Sequence, residues 1–210
     1  DRNAVHVFTP PTHPTQASAR IDGGELGVEN VMWSPNSQFL LVFGKNGIRV
    51  DVWDLKTCHL VGIPGIKNSH TGVGFSPNKR VFAYLTRRNG KDCLALHSTE
   101  DWQYTNLIEL NTLDANDLKW SPDGVNVAIA DCQIEHRVVV VNSETGQTST
   151  FEAYKGQKGV VSLCWCMNSH LLAAGSGNDA IHILFTPEWN LLTELNHINL
   201  TRISNADHYE

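Results

Sequence analysis

The sequence predicts an all-β protein built from repeated four-stranded blades, a β-propeller, and three observations carry that prediction. Trp33, Phe75, Trp120 and Trp165 follow one another at intervals of 42, 45 and 45 residues, and a fixed period of about 40–45 residues is the spacing of propeller blades. Each of these aromatics ends an alternating strand and is followed by a turn and a second apolar strand. About twenty residues further on comes a third apolar strand, then a more polar outer one, so each period holds four strands. A β-sandwich also has short strands at regular intervals, but nothing in that fold repeats a whole four-strand unit.

In chain order, residues 4–8 read as the third strand of a blade, 9–14 as a proline-stiffened turn and 18–22 as an outer strand. Residues 1–24 are thus the second half of a preceding blade. Four consecutive blades fill 25–197, with approximate limits 26–65, 66–110, 111–153 and 154–196; residues 198–210 are a tail or the start of another blade. Leu118 and Trp120 alternate with Lys119 as a half-buried strand does, Pro122-Asp123-Gly124 supplies turn chemistry, and Val125, Val127 and Ile129 resume the alternation. The same pattern recurs at Met32-Trp33-Ser34-Pro35-Asn36-Ser37 and Val73-Gly74-Phe75-Ser76-Pro77-Asn78, and more weakly at Leu163-Cys164-Trp165-Cys166-Met167-Asn168. Third strands are expected at 49–54, 93–97, 138–142 and 180–185, the first ending in the pair Trp53-Asp54. The blade period and this pair describe a WD-repeat β-propeller of about four and a half blades. Such propellers usually close with about seven, within a range of about four to eight, so the expectation is an incomplete piece of a longer chain.

The 210 residues are 41% hydrophobic and 18% charged, an ordinary globular composition. A net charge of −6 argues against a sequence-independent grip on nucleic acid phosphates. No apolar run approaches the roughly 18 residues that cross a bilayer, and no basic-then-apolar leader opens the chain, which gives the expectation of a cytoplasmic protein with no membrane partner. Cys58, Cys93, Cys132, Cys164 and Cys166 are an odd set, four of them in or beside strands, and read as reduced, buried thiols. Cys164 and Cys166 share a strand face but lack a second Cys or His pair at ligand spacing. The ten histidines are scattered over strands and turns, no helix is predicted that would bring one beside another His or a carboxylate, and no nucleophile elbow or phosphate-cradling glycine loop occurs. No catalytic residue, metal or cofactor is therefore expected.

Arg87-Arg88-Asn89-Gly90-Lys91-Asp92, Asp101-Trp102-Gln103, Leu118-Lys119-Trp120-Ser121-Pro122 and the block 154–184 resemble the corresponding runs of the WD-repeat protein eight family, centrosomal and spindle-pole adaptors encoded antisense to a p53-related gene. The resemblance covers nearly the whole chain. It is distinctive in the Arg-Arg to Trp-Gln run and unspecific in the Trp-Ser-Pro turns. It implies a non-enzymatic scaffold that joins a coiled-coil or microtubule-associated partner at centrosomes, ciliary bases or spindle poles and helps anchor microtubule minus ends. The chain departs from regular WD repeats where Cys166-Met167-Asn168 replaces the Ser-Pro turn, and it has no Gly-His pair. Both departures weaken the expectation of the full Asp-His-Ser-Trp hydrogen-bond network.

Candidate partner-binding residues are those the repeat does not require. Trp102 and Trp189 sit just after the third strands of their blades, where rim aromatics commonly anchor partners; the alternative is that each ring covers the end of its own outer strand. Arg87, Arg88 and Lys91 flank Asn89-Gly90 in a turn on the opposite face, placed to steer an acidic partner or simply to be solvated beside Asp92. Asp179 reads as a structural turn residue that accepts its own backbone N–H bonds. Two other functional classes stay open: a WD-repeat subunit of another complex, such as a ubiquitin-ligase substrate receptor or an RNA-processing assembly, and a propeller enzyme with groups gathered in its channel.

Overall fold

The computed structural model describes residues 3–8, 19–22, 27–45, 49–131, 136–153, 158–177, 180–185 and 188–196. Every regular element among them is a strand. The chain divides into two compact units, Asp1–His70 and Thr71–Glu210.

In the first unit, β1 (Ala4–Val7) pairs antiparallel with β2 (Ala19–Asp22). The strands β3 (Val28–Trp33), β4 (Phe39–Gly44), β5 (Arg49–Asp54) and β6 (Leu60–Pro64) follow as a four-stranded antiparallel sheet in sequence order. Leu40 and Val42 on one face of β4 meet Ile21, Val5 and Val7 of the two-stranded sheet, with Val28 and Trp53 at the margin. The two-stranded sheet therefore packs on the four-stranded sheet that follows it.

The second unit holds three more sheets of the same plan: β7 (Val73–Phe75) to β10 (Tyr104–Glu109) through β8 (Val81–Arg88) and β9 (Lys91–Ser98); β11 (Asp117–Trp120) to β14 (Thr148–Glu152) through β12 (Asn126–Ala130) and β13 (Arg137–Asn142); and β15 (Val160–Trp165) to β18 (Asn190–Asn196) through β16 (Leu171–Ser176) and β17 (Ala180–Phe185). Val127, Ile129, Val139 and Val141 turn towards Ala83, Leu85, Leu94 and Leu96 of the sheet before. Their neighbours Ala128, Ala130, Val138 and Val140 turn towards Leu163, Leu172, Ala174 and Leu184 of the sheet after. A strand covered on both faces needs no polar positions, which is why β12 and β13 read as unbroken apolar runs. Burying one such Val or Ile contributes about 1.5–3 kcal/mol.

The motif that sets the period is a hydrogen-bonded turn, repeated four times. In the first copy the Ser34 N–H donates to Phe39 O, the Ser37 N–H to Ser34 O, the Ser34 hydroxyl to Asn36 Oδ1, and the Ser34 oxygen accepts from the Phe39 N–H. Ser76 with Asn78 and Ser121 with Asp123 repeat the set. In the fourth copy Cys166 takes the serine's place: its thiol donates to Asn168 Oδ1 and its sulfur accepts from the Leu171 N–H. The departure from Ser-Pro thus leaves the local network intact. The residue three positions on is left-handed in each copy, with φ of 59° at Ser37, 65° at Lys79, 76° at Gly124 and 62° at Ser169. Gly124 takes that backbone without the Cβ clash the others carry.

The aromatics tie successive sheets together. The Trp120 indole N–H donates to Gly74 O at 3.2 Å and that of Trp165 to Lys119 O at 3.0 Å, each reaching the first strand of the preceding sheet. Phe75 carries no such donor. The cysteines differ from their expected burial: Cys93 is buried, whereas Cys58 and Cys164 are exposed and Cys166 is half-buried, because Cys58 falls in a turn and Cys164 on the uncovered side of β15. Cys132 lies outside the described residues.

Candidate functional site

The cationic hairpin forms as the Asn89-Gly90 pair dictates. Both residues are left-handed, with φ of 51° and 79°, the geometry of a two-residue β-turn that continues the strand twist. The turn joins β8 to β9 with Arg88 opposite Lys91 and Arg87 opposite Asp92. Arg87 is committed within the chain: its Nε donates to Asp92 Oδ1 at 2.9 Å, and its Nη2 lies on Asp114 and the Leu113 carbonyl. Lys91 pairs with Glu109 across the sheet. Arg88 is exposed and has no carboxylate partner among the described residues.

Behind the hairpin stand two buried carboxylates, and these the sequence reading did not single out. Asp92, 1% exposed, takes Arg87 on one oxygen and, on the other, the Ala115 N–H and the Thr112 hydroxyl. Asp131 is fully buried and accepts from the N–H groups of Leu113 and Asp114 and from Arg137 Nη1. Arg137 in turn holds Glu152 at 2.8 Å. Each carboxylate closes the mouth of a β-hairpin and gathers N–H groups of the segment linking two sheets, which would otherwise be buried without acceptors. An acidic residue beside an apolar run, with an arginine across the hairpin, is the signal that could have found both.

Trp102 and Trp189 correct the expectation of rim anchors. They are 3% and 5% exposed. Each occupies the left-handed position of the turn after a third strand, with φ of 56° and 57°, where the corresponding residues are Cys58 and Gly146. The Trp102 N–H donates to Ser98 O as the Gly146 N–H donates to Asn142 O. That backbone aims the indole inwards: Trp102 meets Phe82 and Phe75 at centroid distances of 5.8 and 6.4 Å, and Trp189 stands edge-on to Trp165 at 5.0 Å. The rings fill the ends of their own blades, against the first and second strands for Trp102 and the first strand for Trp189. Asp179 lies outside the described residues.

The histidines, read as dispersed, are partly gathered. His97 donates from Nδ1 to the Trp102 carbonyl at 3.0 Å and faces the Tyr84 hydroxyl; burial lowers its pKa, partly offset by that bond, and burial raises the Tyr84 pKa to about 12. His136, at the start of the third blade's β13, and His182 on β17 stand with ring centroids 4.3 Å apart, beside Phe151, and His182 lies 3.4 Å from Glu194. Burial first, and His182 second, push the His136 pKa down to about 4. His136 and His182 lie 46 residues apart, one blade period, and that spacing is the signal that could have found the pair. Among the described residues no group of three His, Cys, Asp or Glu side chains is arranged to hold a metal ion.

The comparisons agree with this geometry. The model of the family described as eukaryotic translation initiation factor eIF2A matches residues 11–143, more than half of the chain. The chain belongs to this family. Its relatives are WD-repeat proteins: the mouse WD repeat-containing protein WRAP73 is 28% identical over 178 residues, 85% of this chain and 38% of the relative. An uncharacterized WD repeat-containing protein of Schizosaccharomyces pombe is 27% identical over 201 residues, 92% of this chain and 40% of the relative. The chain spans about two fifths of the length of these curated relatives. WD-repeat proteins generally act as protein-interaction scaffolds, and the matches indicate no enzymatic family.

Proposed function

We propose that the chain serves a non-catalytic scaffold of the centrosome and spindle-pole type, which binds a coiled-coil or microtubule-associated partner and works in the cytoplasm. The observation that carries the scaffold reading is the commitment of its charged and aromatic residues to the repeat. Asp92, Asp131, Arg87, Arg137, Trp102 and Trp189 are consumed in holding blades and their links together, leaving loops and faces as the surface that can differ between family members. The centrosomal reading is supported by the distinctive run at 87–103, in which Arg88 is the exposed, uncommitted cation.

A second reading is a scaffold within the translation apparatus, favoured by the match of residues 11–143 to an initiation-factor family. The two separate in one experiment: the full-length protein carrying this chain, tagged in its own cells, is followed by microscopy and by sedimentation. Co-localisation with spindle poles and recovery of a coiled-coil partner support the first reading. Sedimentation with ribosomal particles and no polar signal overturns it in favour of the second.

A further inference from the structure

The third blade carries Asp131 ten residues after its turn serine, Ser121, and Arg137 five residues before Asn142, the residue that opens the next turn. Their ion pair closes the mouth of the β12–β13 hairpin. In the first blade the same two positions, counted from Ser34 and from Asp54, are Gly44 and Arg49. The arginine is kept and the carboxylate is missing, and residues 44–50 contain no acidic side chain at all. Where it would stand there is a cleft of about 670 Å³ lined by Gly44, Arg49, Lys67, Ser69 and His70, with Phe43 in its wall and Glu29 at its rim.

The donors around that cleft suit a carboxylate. Arg49 lies over Gly62, where a Cβ would come within 3.1 Å of its Cδ, so the bare glycine makes room for the arginine stem. Its Nε rests 2.5 Å from Asp51 Oδ1, which fixes the side chain, and no second carboxylate meets it among the described residues. Ser69 is 7% exposed and its buried hydroxyl has no hydrogen-bond partner among the described residues, an unsatisfied donor behind the cleft wall. Lys67 adds a second positive charge to the same wall. An arginine and a lysine lining one cleft give it the positive charge that draws a carboxylate, and the planar guanidinium matches the two oxygens of that group.

We propose that this cleft binds an acidic side chain of a partner polypeptide, whose carboxylate takes the place against Arg49 that Asp131 takes against Arg137. The proposal rests on the scaffold reading only in assigning the carboxylate to a polypeptide. Gly44 is the means of testing it. An added Cβ there meets nothing closer than Arg49 O at 3.9 Å, so Gly44→Asp supplies the chain's own carboxylate in the arrangement of the third blade.

The test titrates an acetylated, amidated hexaglutamate peptide, and separately inorganic phosphate and acetate, into the isotope-labelled 210-residue chain at fixed ionic strength, following backbone amide shifts. Saturable peptide binding that moves the amides of Arg49, Ser69 and His70 is expected, weakened at least tenfold by Gly44→Asp and by Arg49→Gln, both with wild-type spectra elsewhere. Equal peptide binding by wild type and Gly44→Asp, or no peptide binding by wild type, overturns the proposal. Phosphate binding at the cleft in preference to the peptide also overturns it, by showing an inorganic anion site, and it leaves the scaffold reading standing.

Discussion

Replacing Asp131 by Asn tests the buried ion pair that closes the third blade. The substitution keeps the side chain's volume and removes its charge, so one of the two oxygens becomes an NH2 group facing donors only: the N–H groups of Leu113 and Asp114 and the guanidinium of Arg137. One charge-assisted bond is lost, worth about 1.5–3 kcal/mol, and one buried N–H goes without an acceptor, costing about 1–3 kcal/mol. Arg137 keeps Glu152, so the full cost of about 3–5 kcal/mol for orphaning a buried ion does not apply. The expected loss is about 3 kcal/mol, read as a fall in the urea midpoint of the purified chain with the slope of the transition unchanged. Asp114→Asn is the control, since that carboxylate is 59% exposed in its pair with Arg87 and exposed pairs contribute about 0–1 kcal/mol. A loss below about 0.5 kcal/mol for Asp131→Asn would refute the reasoning.

Two further outcomes follow from the same geometry. Cys166→Ser should be neutral to within about 0.5 kcal/mol, because an oxygen can serve both bonds of the sulfur, whereas Cys166→Ala should cost about 1 kcal/mol by leaving the Leu171 N–H without its acceptor; equal midpoints for the two variants would contradict the role assigned to the thiol. His136 is held neutral with its pKa lowered from 6.5 to about 4, so folding is favoured above pH 6.5 and that contribution, about 3 kcal/mol, is lost as pH falls from 6.5 to 4. Urea midpoints at pH 7.5 and 4.5 should differ less in His136→Asn than in wild type, and an unchanged difference would exclude His136 as the cause.

The sequence made the repeat legible because a blade is a local object. Trp120, Pro122-Asp123-Gly124 and the strand that follows interact within a few residues of one another, so their spacing survives as a pattern. What joins blades is legible only in part: Trp165 reaches Lys119 and His136 meets His182, each 46 residues apart and so one blade period away, but which side chains turn towards each other there is set by strand register. The rim tryptophans were misread for a related reason. Trp102 and Trp189 stand in turns, where side chains usually face water, but a left-handed backbone at those positions turns them inwards, and φ is not visible in a sequence. The cationic turn was correctly placed as a β8–β9 hairpin, yet two of its charges, Arg87 and Lys91, are committed to Asp92 and Asp114 and to Glu109, partners fixed by strand register.

The most direct test of the scaffold reading is cross-linking mass spectrometry of the tagged full-length protein in its own cells, with a lysine-reactive reagent. The account predicts reproducible cross-links from Lys67, Lys91 or Lys119 of this chain to one partner polypeptide, with those involving Lys67 reduced by Gly44→Asp. Cross-links confined to the protein itself, in cells where it is expressed and folded, would contradict it.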